Sequence, residues 1–237
     1  MDKLMIEAAI NELSTKEQNP HVPYGPEEVA RDDIGLIRKE CDAILYPTYP
    51  GRPPREQRIG HVLALAGDPQ VRLELATLDV GSTNRPVGYQ GRACSGRYLC
   101  QQHDELVYFL RELRARGVAC SLGVRDVGHM RHVAAYREMG LAPDPLAIKI
   151  FLSDTDAHGP YPDARGLMMY LDMVPKGAVC HWFTAEDNPR LDGKTYANAE
   201  QVEIAVQMAH QAGREVATPA EARRMLGMAA QGETIHR

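Results

Sequence analysis

Apolar positions fall into two periodicities that alternate along the chain. Short apolar runs occur at 4–10 (LMIEAAI), 43–47 (AILYP), 71–80 (VRLELATLDV), 118–124 (VACSLGV), 147–153 (AIKIFLS) and 178–183 (AVCHWF). Each is short enough to be a buried strand and is bounded by turn-forming residues. Between them the spacing becomes helical. Leu106, Phe109, Leu110 and Leu113 share one helix face, and Gly117 stands where that helix must end. Pro26 followed by Glu27 and Glu28 marks a helix start, with carboxylates near the positive end of the dipole. Asn198 with Gln201 suits a capping box for a helix ended by Gly213, and Thr218, Pro219 and Glu221 repeat the start signal.

Strand and helix alternating in this way predict an α/β fold with parallel strands, in one domain spanning 1–237. The length suits one (β/α)8 TIM barrel, which needs eight strands where the pattern supplies six. The longest irregular stretch, 84–103, follows a strand directly and reads as a loop. In barrels such loops carry chemistry.

Composition narrows the class without naming a reaction. The chain has 237 residues, 44% apolar, enough for a sizeable core. A net charge of -5 gives no basic footprint for nucleic acid. No apolar run reaches the length of a membrane helix. The opening MDKLMIEAAINEL lacks a basic segment ahead of a long apolar one and reads as a first strand, not a signal peptide. Five cysteines without a C-x-x-C pair favour reduced thiols and a cytoplasmic location, although Cys94 and Cys100 share a Gly/Arg-rich loop that suits a redox pair.

Chemistry-bearing side chains gather at the predicted strand ends: Asn11 and Glu12; Thr48; Thr77, Asp79 and Ser82; Arg125, Asp126 and His129; Asp154 and Asp156; His181, Glu186 and Asp187. They suit an anion-binding, acid–base or metal-assisted site. There is no G-x-S-x-G elbow and no G-x-G-x-x-G after the first strand. Plainer readings stand beside these. Thr48 in YPTYPG suits a turn, Asp79 and Ser82 suit Asx or Ser turns, and Asp126 suits a helix N-cap. His129 and His132, three apart, suit either one metal or a surface and capping role. Glu186-Asp187-Asn188 before a proline is either a turn or a metal ligand with a catalytic neighbour.

Several blocks together resemble the β-keto acid cleavage enzyme family: IEAAINELSTKEQNPHVPYGPEEVA, CDAILYPTYPG, LELATLDVGSTN, LGVRDVGHM and AEDNPRLDGKTYANAEQVEIAVQMAHQAGREVATPAEARRMLG. The resemblance implies a TIM barrel that exchanges acyl parts between a β-keto acid, such as 3-keto-5-aminohexanoate of lysine fermentation, and acetyl-CoA. It also implies a zinc ion that polarises the keto group, and a homo-oligomer, by family analogy a tetramer. Glu186 matches the family's glutamate zinc ligand and Asp187 its catalytic aspartate. Thr48, Thr77 and Asp79 match substrate-binding positions. The family's His-x-His zinc pair has no counterpart, and its catalytic glutamate falls on Gly123. After PEEVA and after AVCHWFTA the text skips what the family carries, the second time with a catalytic arginine. These gaps imply a barrel shortened by about two βα units. The readings that follow are an enzyme with ligands recruited from His129, His132 or His181, a catalytically impaired relative, or a small-molecule binding protein without the zinc site.

Overall fold

The computed structural model describes residues 3–7, 41–47, 54–69, 71, 73–87, 95–99, 101–153, 158–184 and 198–228. The chain forms two compact units, one of 1–43, 186–225 and 229–237, the other of 44–185 and 226–228.

The larger unit is α/β. Its elements in order are α1 (Arg55–Ala66), β1 (Leu75–Asp79), β2 (Thr83–Val87), β3 (Ser95–Leu99), α2 (His103–Ala115), β4 (Ala119–Val124), α3 (His129–Glu138), β5 (Ala147–Leu152), α4 (Ala164–Leu171) and β6 (Val179–Thr184). Strands β1, β4, β5 and β6 form a parallel sheet in that order. This is the α/β architecture with parallel strands that the alternation predicts. Four of the six apolar runs supply these strands.

Because side chains alternate across a strand, the sheet has two distinct faces. One carries Ala76, Leu78, Cys120, Leu122, Val124, Ile148, Ile150 and Leu152, all buried. Helices α2 and α3 pack on β4, and α4 packs on β5. They contribute buried Leu106, Phe109, Leu110, Leu113, Met130, Val133, Tyr136 and Tyr170. The predicted stripe on α2 is therefore the face that meets the core. Gly117 ends that helix at φ +68, where an L side chain would be strained, and Val118 N–H donates to the Leu113 carbonyl at 3.0 Å.

Two expectations fail in this unit. Residues 43–47 form no strand, because a five-residue apolar run cannot distinguish a ladder from half-buried coil. Tyr46 within it serves a side-chain contact instead. The supposed loop 84–103 contains most of an antiparallel ribbon in which Thr83 pairs with Leu99 and Pro86 with Gly96. Pro86 demotes the run in a sequence reading, but a two-stranded ribbon tolerates proline because each strand has a free edge. Ser82 latches its base: Ser82 Oγ accepts from Gln101 N at 2.9 Å and donates to the Gln101 carbonyl at 3.3 Å.

The smaller unit contains α5 (Asn198–Gln211) and α6 (Pro219–Met225). Its predicted 4–10 strand is, within the described residues, a single parallel bridge from Leu4 to Val216. Gly213 closes α5 at φ +69, with Arg214 N–H donating to the Ala209 carbonyl. The capping box at α6 forms: Thr218 Oγ1 accepts from Glu221 N at 3.3 Å, and the Glu221 carboxylate accepts from Thr218 N at 2.9 Å. That backbone bond, with Lys3 3.0 Å away, pulls the Glu221 carboxyl down to about 2. Arg223, buried in α6, forks onto the Asp42 carboxylate at 2.9 and 3.4 Å. Among the described residues no helix is long and apolar enough to cross a membrane.

Candidate functional site

The second face of the parallel sheet is polar where the first is apolar, and strand register makes it a grid. Thr77, Ser121 and Ala147 form one level; Asp79, Gly123 and Lys149 form the next. Beyond them, toward the strand C-termini, come Arg125 and Phe151. This face brings together three of the residues singled out from sequence, Thr77, Asp79 and Arg125.

Glycine at 123 shapes the grid. A Cβ there would coincide with the space now filled by Asp79 Oδ1 and would lie 3.0 Å from Phe151 Cε2. The Asp79 carboxylate thus lies over the bare backbone of β4. Its Oδ2 accepts from Arg125 Nε at 3.1 Å, with both side chains mostly buried. The Arg125 guanidinium lies 3.8 Å from the centroid of the Phe151 ring, a cation–π stack. Lys149, 4% exposed, donates to Tyr46 Oη at 2.6 Å and lies 5.6 Å from the same Phe151 centroid. The Thr77 hydroxyl is buried with no hydrogen-bond partner among the described residues. Buried hydroxyls are nearly always satisfied, so an unpaired one on a polar face suits a ligand or water.

Two histidines fix the backbone of Arg125 from either side. Its N–H donates to His129 Nδ1 at 3.4 Å, and its carbonyl accepts from His158 Nδ1 at 2.9 Å. His129 also hydrogen-bonds the Ser82 backbone. Burial lowers its pKa, and the His132 charge adds to that effect, against the opposing pull of Asp126. Asp126 does not cap α3. Its Oδ1 closes a local turn by accepting from Gly128 N at 2.8 Å, and the N-cap position belongs to Gly128.

Three described histidines have partners within the fold. His129 Nε2 packs against Gly81, and its Nδ1 already accepts from Arg125. His132 Nδ1 donates to the Val80 carbonyl at 3.0 Å and stacks on His129, while His103 is bound to Tyr136 Oη at 2.6 Å. The pair therefore braces α3 against the loop after β1. Among the described residues no group of three His, Cys, Asp or Glu is placed to hold a metal. Glu186, Asp187, Asn11, Glu12, Thr48, Asp154 and Asp156 lie outside the described residues, as do Cys94 and Cys100. His181 holds the register position beside Lys149 on β6.

Sequence reasoning passed over Lys149, Phe151 and the emptiness at Gly123. A single lysine inside AIKIFLS was the available signal: a charge within a strand buried on both faces needs a polar partner.

A family model described as beta-keto acid cleavage enzyme matches residues 31–186 and 185–228. The 3-keto-5-aminohexanoate cleavage enzyme of Fusobacterium nucleatum is 27% identical over 289 aligned positions, covering 96% of this chain and 99% of that protein. The family match takes in every strand and helix that builds the polar face, and on that extent the chain belongs to the beta-keto acid cleavage enzyme family.

Proposed function

We propose that this protein exchanges acyl groups between a short β-keto acid and acetyl-CoA. In the net reaction R–CO–CH2–COO⁻ and CH3–CO–S–CoA become CH3–CO–CH2–COO⁻ and R–CO–S–CoA. A base removes a proton from the acetyl group, the enolate carbon attacks the keto carbon, CoA transfers, and a retro-Claisen step breaks the carbon–carbon bond. The observation that carries the reading is the Thr77 hydroxyl, buried and unpaired on the face that also holds Asp79, Arg125 and Lys149. A hydroxyl so placed donates to a keto or carboxylate oxygen. Family membership supplies the reaction type, and the relative's name supplies 3-keto-5-aminohexanoate as the first substrate to try.

Glu186, the zinc ligand that the resemblance implies, lies outside the described residues, and no step of this reading is routed through a metal. The fold we propose is a (β/α) barrel shortened relative to the family. Its support is that the alignment to the relative spans 289 positions against 237 residues here, and that the family match falls into two segments meeting at 185–186.

The test is to incubate the purified protein with 3-keto-5-aminohexanoate and acetyl-CoA and follow acetoacetate and the new acyl-CoA by mass spectrometry. Thr77→Val should raise KM while leaving the urea midpoint in place, because the hydroxyl has no protein partner to lose. Folded wild-type protein that forms no acetoacetate from this or simpler β-keto acids would sink the reading in favour of a binding protein.

A further inference from the structure

Arg125 differs from an ordinary structural arginine in how its guanidinium is used. Asp79 takes the Nε edge at 3.1 Å. The Phe151 ring, 3.8 Å from the guanidinium carbon, fixes the plane. The two Nη atoms make no hydrogen bond to the described residues, although the side chain is only 14% exposed. A planar pair of donors, held in orientation and largely withdrawn from water, is the arrangement that binds a carboxylate through two parallel hydrogen bonds.

The surroundings strengthen this. The Arg125 backbone is clamped by His129 and His158, so its position costs little to maintain on binding. Gly123, one residue pair below on the same face, leaves the room in which the Asp79 carboxylate reaches the Nε edge. Lys149 places a second cation near the Phe151 ring, 5.6 Å from its centroid. The Thr77 hydroxyl lies on the same face, one level further down strand β1.

We infer that Arg125 binds the substrate's carboxylate through its Nη edge, with Asp79 as the positioning residue that holds the guanidinium flat on Phe151. The inference rests on the proposed β-keto acid reading for the identity of the ligand, a short β-keto carboxylate. The anchor is formed by this chain's own side chains.

The probe is 3-hydroxyhexanoate, a β-hydroxy acid that cannot undergo the cleavage, compared with its methyl ester by calorimetric titration of the whole protein. Wild type should bind the acid about 10- to 100-fold tighter than the ester, the range expected for charge-assisted hydrogen bonds. Arg125→Met should abolish that preference. Arg125→Lys keeps the charge without the fork and should retain only part of it; this variant decides the matter if Arg125→Met does not fold. Asp79→Asn, which keeps an acceptor for Nε, should bind the acid better than Asp79→Ala does. Wild type that shows no preference for the acid, or an Arg125→Lys protein with the full wild-type preference, overturns the inference. The reaction itself is separable. An Arg125-dependent preference in a protein that cleaves no β-keto acid upholds the anchor and removes the proposed activity. Cleavage that survives Arg125→Met with unchanged KM removes the anchor and leaves the activity standing.

Discussion

Alanine in place of Gly123 sets two opposing effects against each other at the centre of the polar face. The substitution relieves the backbone entropy that glycine loses on folding, a gain of about 0.5–1 kcal/mol in a strand. Against it, the new methyl would occupy the space of Asp79 Oδ1 and meet Phe151 Cε2 at 3.0 Å. The carboxylate must then swing away from Arg125 Nε. Breaking a hydrogen bond between charged groups costs about 1.5–3 kcal/mol, toward the lower end here because Asp79 and Arg125 keep 17% and 14% of their side-chain exposure. Crowding against the Phe151 ring adds up to about 1 kcal/mol within the usual range for overpacking. The clash wins, and Gly123→Ala should destabilise by about 1–2 kcal/mol. On an Asp79→Ala background the main obstacle is gone, so the same substitution should be close to neutral there. The assay is the urea midpoint of the four proteins of this double-mutant cycle, read at unchanged m-value. A coupling of at least about 1 kcal/mol is expected. Costs that add to within ~0.3–0.5 kcal/mol would show that Asp79 does not occupy the space over Gly123.

Three further perturbations probe the frame around the site. Arg58, 3% exposed, donates to Glu105 at 2.6 Å and Gln101 at 3.0 Å, so Arg58→Ala strands a partly buried carboxylate and should cost about 3–5 kcal/mol. By calorimetry that is a fall in Tm of roughly 6–20 °C, and a drop under about 2 °C would refute the pairing. His129 has a folded pKa below its ordinary 6.5, so the unfolded chain binds the proton first. Its contribution to stability is present above pH 6.5 and is lost as the pH falls below it. Urea midpoints at pH 7.5 and 5.5 should therefore differ less in His129→Gln than in wild type, and an equal difference would refute the assignment. Thr218→Ala removes the side-chain half of the α6 capping box and should cost about 1 kcal/mol, while Thr218→Ser should be neutral by the same measurement.

Residue pattern was most informative where one face of an element alone decides its fate. The α2 stripe, the four buried strands and the Thr218–Glu221 box are each local, and each appears where spacing places it. The ribbon of β2 and β3 escaped because its stabilisation is a ladder between segments, with Pro86 and a Gly/Arg-rich partner masking the alternation. At the site, Thr77 and Asp79 were legible as strand-end polar residues. Their connection to Arg125 and Phe151 was not, since it depends on strand register and on the missing side chain at Gly123. The role of the histidines was illegible for a related reason. Spacing places His129 and His132 on one side of a helix, but only the fold shows that this side meets the Gly81–Ser82 turn and α2.

The two faces of the sheet explain why a charged cluster is tolerated at the core of so small a unit. A carboxylate, a guanidinium and an ammonium in one buried layer are costly to desolvate unless each is paired. Here Asp79 pairs with Arg125, Lys149 is hydrogen-bonded to Tyr46, and Phe151 lies against both cations. The apolar face, packed by α2, α3 and α4, supplies the burial that offsets this cost. Such a layer contributes less to stability than an apolar one of equal volume would. Its retention is understandable if the cations serve a ligand, and then a bound carboxylate must stabilise the fold as well as occupy the site. Saturating 3-hydroxyhexanoate should therefore raise the urea midpoint of wild type and leave that of Arg125→Met unchanged; an equal rise in both would place the ligand away from this layer.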